Sequence, residues 1–299
     1  MLKPIAVALV TAGGFIMLFS ILAFYKLLVA LKTQSNEQKV FANWIYRACM
    51  CLMLFFLLGY IAFAVNLIAV DTATTPNLLI ALIFFFGSVF VCTMVITLRR
   101  MSAALSKKTD EIIRTLVHTI EAKDKYTQGH SVHVAHLAEL IYTRLPDKIK
   151  EQINRQHLIN AAILHDIGKI GTPDSILNKP DALTPEERHL IEQHAINGKN
   201  ILMDTSYQSI GDIICYHHER VDGNGYYGIA AENIPLESRI IAVADTWSAL
   251  CTDRVYRKKK SYEDAIRILQ EAAGTQLDPE IVQIFCAIPK KELESIDLA

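Results

Sequence analysis

Three stretches of this chain contain no charged residue: Ile5–Tyr25, Ala48–Val70 and Pro76–Leu98, of 21, 23 and 23 residues. A helix rises about 1.5 Å per residue, so each can cross a hydrocarbon core of about 30 Å. Core helices of soluble domains seldom run this long without a charge. A cleaved leader is the other reading of the first stretch. Its apolar run is too long for one, however, and no small-x-small cleavage site follows. All three are expected to span a membrane. None carries Asp, Glu, Lys or Arg, with Lys26 just past one end, which argues against a transport pathway.

The loops set an orientation. The first carries Lys26, Lys32, Lys39 and Arg47 against Glu37, the second only Asp71, and Arg99, Arg100, Lys107 and Lys108 follow the third span. Basic residues stay on the cytoplasmic side. The expectation is an N-terminus outside, residues 72–75 outside and the remainder in the cytoplasm. Charge separates the same two regions. Residues 1–100 hold 7 of the 30 Lys/Arg and 2 of the 31 Asp/Glu, leaving 23 and 29 for residues 101–299. A mildly acidic C-terminal region gives no support to nucleic-acid binding. With 52% hydrophobic residues, intrinsic disorder is excluded. Cys49, Cys51 and Cys92 lie in the spans and Cys215, Cys251 and Cys286 are scattered, without a CxxC pair. Free thiols in a reducing compartment are the plain reading.

Beyond the spans the chain reads as all-α. Residues 99–125 form a connecting helix in which Leu105, Ile112, Leu116 and Ile120 recur at spacings of 7, 4 and 4. That stripe either packs on the following domain or pairs with a second copy as a short coiled coil; two to three heptads do not decide. Helical periodicity continues over Val132–Leu145, Gln156–Leu164, Pro185–Leu202, Ser209–His217, Ser238–Thr252, Tyr262–Ala273 and Pro279–Cys286. Thr184-Pro185-Glu186-Glu187 and Asp278-Pro279-Glu280 are helix starts, with a capping side chain, Pro at the first position and acids in the first turn. Asp222-Gly223-Asn224-Gly225 is a loop. Residues 1–98 are thus a three-helix membrane module, 112–288 a helical domain and 289–299 a tail.

All ten histidines fall between His118 and His218. His165-Asp166 ends an apolar helical run, where burying both is costly unless both are engaged. His217-His218 adjoin on what reads as another helix, where neighbours point about 100° apart and so cannot both serve one face. With His130, His194 and Asp245 they make seven candidate ligands: His130, His165, Asp166, His194, His217, His218 and Asp245. Imidazole with carboxylate and no thiolate suits Fe, Mn, Zn or Co. A pair of such ions about 3.5–4 Å apart clamps the attacking and leaving oxygens of an in-line displacement at phosphorus. Lys169, three residues past Asp166, is placed to meet a phosphoryl oxygen.

His165-Asp166-x-Gly168-Lys169, His217-His218-Glu219-x-x-Asp222-Gly223-x-Gly225-Tyr226 and Ala244-Asp245 through Asp253-Arg254-x-Tyr256-Arg257 resemble the HD-GYP branch of the HD phosphohydrolases, over about residues 112–288. The resemblance implies an all-helical metallophosphodiesterase that opens cyclic di-GMP, here at a bacterial inner membrane. It implies two divalent ions, with Fe or Mn expected, bridged by Asp166. His130 and Asp245 would face one ion, and His194, His217 and His218 the other. Tyr226, Arg254 and Arg257 would contact substrate. Three positions depart from the family pattern. Tyr227 replaces the proline of the signature, Ser248 stands where a second acid is frequent, and Tyr126 occupies the position of a third-metal glutamate. The changed loop keeps alive a second reading, an inactive cyclic di-GMP receptor acting through a protein partner, and a different cyclic dinucleotide is a third. His118, His157 and His189 read as surface or packing residues. His133, one turn from His130, could compete as a ligand, and His136 less so. Asp222 reads as a turn former, and Glu219 could orient a ligand histidine.

Overall fold

The computed structural model describes the chain except residues 1, 33–38, 71–73, 125–128, 253–258 and 298–299. Tyr126, Arg254 and Arg257 lie outside the described residues. Two compact units result, Met1–Glu111 and Ile112–Ala299. An isolated bridge between Ala273 and Leu277 is the only strand-like pairing among the described residues.

The first unit contains α1 (Leu2–Lys32), α2 (Lys39–Ala69) and the start of α3 (Thr75–Lys123). Each is long and apolar enough to cross a membrane. Val10, Met17, Tyr60, Leu67, Ala81 and Val95 are buried between them, whereas Phe15, Phe55 and Phe90 are 73%, 69% and 69% exposed. The unit is therefore apolar on its outside as well as its inside. Gly13 lets α1 approach α2 closely: a Cβ there would lie 2.8 Å from Cε1 of Tyr60. The buried hydroxyls of Ser20 and Ser88 donate to carbonyls of their own helices, Ile16 and Phe85. Lys3 donates to the carbonyls of Ile68 and Val70 at the end of α2, where the last carbonyls lack helical partners.

The second unit takes the last turns of α3 and adds α4 (His130–Arg144), α5 (Asp147–Lys150), α6 (Arg155–Leu164), α7 (Asp174–Leu177), α8 (Pro185–Glu192), α9 (His194–Leu202), α10 (Gly211–Cys215), α11 (Leu236–Cys251), α12 (Tyr262–Ala272), α13 (Pro279–Cys286) and α14 (Lys290–Asp297). Its core is apolar and continuous. Leu137 and Ile141 of α4, Leu158 of α6, Ile240, Ile241 and Trp247 of α11 and Phe285 of α13 are at most 1% exposed. Each such side chain stabilises the fold by about 1.5–3 kcal/mol relative to exposure. The helix starts follow local chemistry. Thr184 and Glu187 form a reciprocal capping box at α8, and Asp278 accepts from Glu280 and Ile281 at α13. Asn154 and Ser261 cap α6 and α12 in the same way.

Four expectations are corrected. The helix expected over 185–202 breaks at Gln193 into α8 and α9. The helix expected over 209–217 stops at Cys215, so His217 and His218 lie beyond its end. Residues 289–299, read as a tail, contain α14, whose Leu293 is 1% exposed in the core. The stripe on the connecting helix divides. Val117 and Ile120 are buried in the domain, while Leu105, Ile112 and Leu116 are 50–68% exposed. Residues three and four apart share a face only approximately. Val117 and Ile120 lie on the buried side, and Leu116 falls on the other.

Candidate metal centre

Three candidate ligands stand at helix ends, and the same bond fixes all three. His165 caps α6 and its Nδ1 bonds the Ala162 carbonyl at 2.8 Å. His194 opens α9 at the break and its Nδ1 bonds the Ile191 carbonyl at 2.7 Å. His217 follows α10 and its Nδ1 bonds the Ile214 carbonyl at 2.6 Å. A carbonyl only accepts, so Nδ1 carries a proton in each, and Nε2 is the nitrogen that presents a lone pair when the ring is neutral. The last carbonyls of a helix lack partners, so the sequence gains a cap and an oriented ligand from one residue. Gly168 makes the close packing behind them possible. A Cβ there would lie 1.9 Å from the His194 carbonyl oxygen, so any other residue would push His165-Asp166 away from α9.

These nitrogens converge. His194, His217 and His218 form one group, and His130, His165 and Asp166 another, with ligand atoms within 4.8 Å of one another in each. Asp166 joins them: Oδ1 lies 3.4 Å from His194 Nε2, and Oδ2 lies 3.4 Å from His165 Nε2. Asp245, on α11, places Oδ1 3.0 Å from His130 Nε2. The seven residues singled out by sequence therefore assemble at one place. The neighbours His217 and His218 can both take part because they follow the helix rather than continue it; their rings are 3.9 Å apart.

The two groups differ electrostatically. Burial keeps His194, His217 and His218 neutral, with His218 lowered to about 4, and neighbouring imidazoles add to the effect. Burial also disfavours charge on His165, but the carboxylates of Asp166 and Asp245 outweigh it and raise that histidine to about 9. Burial would raise Asp166 and Asp245, yet Lys169 and the histidines hold Asp166 well below the usual range, and His130 and its neighbours do the same for Asp245.

The HD domain description matches residues 94–281, more than half of the chain. The chain belongs to the HD domain family. Its motifs and relatives place it in the HD-GYP branch. A probable cyclic di-GMP phosphodiesterase of Vibrio cholerae is 34% identical over 215 residues, 67% of this chain and 48% of that protein. A cyclic di-GMP phosphodiesterase of Pseudomonas aeruginosa is 39% identical over 171 residues, 56% of this chain and 40% of its own length. A 3'3'-cGAMP-specific phosphodiesterase of V. cholerae is 36% identical over 181 residues, 60% of this chain and 38% of its own. The chain spans about half the length, or less, of these relatives.

The donor set of this HD domain fits divalent ions. It consists of imidazole nitrogen and carboxylate oxygen. Nε2 of His194 and of His217 is buried without a hydrogen-bond partner, a costly state for a lone pair that nothing coordinates. The Lys169 ammonium is 2.7 Å from Asp166 Oδ2 and 3.1 Å from Asp124 Oδ2. Glu219 does not orient a ligand histidine. Its carboxylate accepts from the backbone of Tyr227 at 2.7 Å and Ile229 at 2.9 Å, holding the loop of the GYP signature. The position that loses the family proline thereby gains an N–H that proline lacks. Gly225 allows this, since a Cβ there would meet Glu219 Oε2 at 2.7 Å. The loop sets Tyr226 beside the imidazole group, its ring 4.7 Å from that of His218. Burial raises the Tyr226 phenol to about 12, so it is a donor at neutral pH. Ser248, noted only as a missing acid, bonds Nδ1 of both His130 and His133 at 2.8 Å. Asp222 is the expected turn former, accepting from Asn224 N and pairing with Arg220.

Sequence reasoning missed Glu121 and Asp124, which are 3% and 5% exposed beside the site. The signal was present: two acids at the end of an amphipathic helix, within ten residues of the first ligand.

Proposed function

We propose that this chain is a membrane-anchored phosphodiesterase that uses two divalent ions, Fe or Mn, to hydrolyse cyclic di-GMP in bacterial second-messenger signalling. The supporting observation is Asp166, whose two oxygens are directed to two separate ligand groups. That is the arrangement of a bridging carboxylate. Bound there, two ions would supply Lewis acidity at a phosphoryl oxygen. His194, His217 and His218 would hold one ion, and His130, His165 and Asp245 the other. Nδ1–H bonds to Ala162, Ile191 and Ile214 keep the Nε2 lone pairs of His165, His194 and His217 aimed inward. Tyr226 donates to the substrate from beside His218. Lys169 limits the charge on Asp166. Arg254 and Arg257 supply cations for the dinucleotide phosphates.

The test uses the full chain in detergent with Mn(II) or Fe(II), assayed on cyclic di-GMP with the linear dinucleotide and GMP separated as products. Two bound ions without turnover would favour the receptor reading. The named activity of the 3'3'-cGAMP-specific relative motivates a parallel assay. A kcat/KM higher on 3'3'-cGAMP would reassign the substrate while leaving the chemistry intact.

For the first unit, exposed Phe15, Phe55 and Phe90 support a lipid surround. The loop charges support an inner membrane with the N-terminus outside and the HD domain in the cytoplasm. A reporter fused after residue 110 that is active only in the periplasm would contradict this. Exposed Leu105, Ile112 and Leu116 support homodimer pairing through residues 99–125, which crosslinking of single cysteines at these positions tests.

A further inference from the structure

The last turn of α3 reaches both ligand segments. Glu121 Oε2 accepts from Gly129 N at 2.9 Å and Oε1 from Ser131 N at 3.0 Å, bracketing the backbone of His130. The first N–H groups of a helix have no partner within it. Gly129 supplies no side chain to cap α4, so the cap comes from another helix. Lys123 Nζ donates to the carbonyls of Ile170 and Thr172 at 2.8 and 2.5 Å, closing the short helix Ile167–Gly171 that follows Asp166. Asp124 Oδ2 takes Lys169 Nζ at 3.1 Å, and the same ammonium lies 2.7 Å from Asp166 Oδ2. Glu121 and Asp124 are both buried. Burying a carboxylate costs several kcal/mol unless its bonds are made, so packing alone does not account for acids here.

We propose that Glu121 and Asp124 are positioning residues of the metal centre. Glu121 fixes His130 relative to Asp166 by holding the start of α4. Asp124 shares the Lys169 ammonium, keeping its full charge from falling on Asp166 and competing with the ion there. The inference rests on the two-metal reading above and adds to it the parts that set the affinity of the Asp166 side. α3 is the helix that begins at Thr75 and contains the third apolar stretch, so the turn that holds the site belongs to the same helix as that stretch.

The experiment titrates the metal-free full chain in detergent with Mn(II), following the free-ion signal by electron paramagnetic resonance. Glu121→Gln and Asp124→Asn should each weaken one of the two ions about 10- to 100-fold, the usual effect of losing a partner behind a ligand. Asp124→Glu should recover part of the loss. Asp174→Asn, which alters an exposed partner of Lys123, should bind within about twofold of the parent. The decisive variant is Asp124→Asn with Lys169→Met. Removing the competing ammonium should restore affinity towards the parent instead of adding to the loss. A merely structural role would lower Tm and leave both affinities unmoved. Parent affinity at both sites in Glu121→Gln and Asp124→Asn, or an additive loss in the double variant, overturns the proposal alone. A parent that takes up no Mn(II) overturns the metal reading and this one together.

Discussion

On one side of Asp166 stand three neutral imidazoles, those of His194, His217 and His218. On the other, His130 and His165 share the carboxylates of Asp166 and Asp245. The imidazole side is prepared for an ion by burial, because each ring already lacks the proton that a metal would displace. The carboxylate side is prepared by charge, because His165 carries a proton, raised to about 9, that an ion must remove. The imidazole side is shaped mainly by carbonyls at helix ends, close in sequence to the ligands. The carboxylate side uses one such carbonyl too, Ala162 behind His165, and adds Glu121 behind the start of α4 and two partners far along the chain, Ser248 behind His130 and Asp124 behind Lys169. One half is set mainly by local bonds, and the other combines local bonds with tertiary contacts.

Asp166 belongs to both halves, and its loss should have the largest effect. Asp166→Ala should lower kcat on the order of 10³-fold or more and weaken both ions, since it removes an oxygen from each group. Elemental analysis with the turnover assay checks this. Two ions retained at parent affinity would show that Asp166 bridges nothing. Single-side changes should then separate the halves. His217→Ala should cost the ion of the imidazole side, and His130→Ala that of the carboxylate side, each leaving the other bound. Loss of both ions from either variant would mean the two sites are too strongly coupled to be treated apart.

How legible each part was in the sequence follows from the same division. The three apolar helices could be read from length and the absence of charge, because their outer faces are apolar too. The His/Asp cluster could be read because histidine and aspartate are rare in apolar surroundings, and seven of them recur with motif spacing. The capping box at Thr184 was legible because every part of it is local. The end of α10 at Cys215 was not, since Tyr216-His217-His218 remain compatible with helical periodicity, and the turn shows in bonds such as that of His217 Nδ1 to Ile214. Residues 290–297 were missed because the burial of one residue, Leu293, gives no periodic signal. The carboxylate pair around Lys169 was not legible because it includes Asp124, 45 residues earlier. Contacts of that span do not appear in any pattern of spacing.

pH should move the metal-free chain in opposite directions on the two sides. His218 titrates near 4 when folded and near 6.5 when unfolded, so between those values the unfolded chain holds more protons and stability falls as pH falls. His165 titrates near 9 when folded, so above about 6.5 the folded chain holds more protons and stability falls as pH rises towards 9. Thermal melts of the metal-free chain should therefore peak between about pH 6 and 7. His218→Gln should flatten the acidic limb alone, and His165→Gln the alkaline limb alone. A profile in which either substitution flattens both limbs would erase the electrostatic distinction between the halves.

The smallest effect should come from the loop beside the imidazole side. Glu219 holds that loop through two backbone bonds, to Tyr227 and Ile229, and the loop carries Tyr226 against His218. Glu219→Gln keeps the shape but leaves one accepting oxygen for two N–H donors. A hydrogen bond to a charged group is worth about 1.5–3 kcal/mol, and part of that loss should appear as looser placement of Tyr226. KM should rise roughly tenfold while both ions stay bound, because Glu219 contacts no ligand nitrogen. Tyr226→Phe removes the phenol that burial keeps protonated and should raise KM by a similar factor, about what one hydrogen bond contributes. If the two act through the same contact, combining them should cost little more than either alone. An additive result would place Glu219 elsewhere in the work of the loop. A lost ion in Glu219→Gln would show instead that His218 depends on the loop, and that the imidazole side is less locally determined than its helix-end carbonyls indicate.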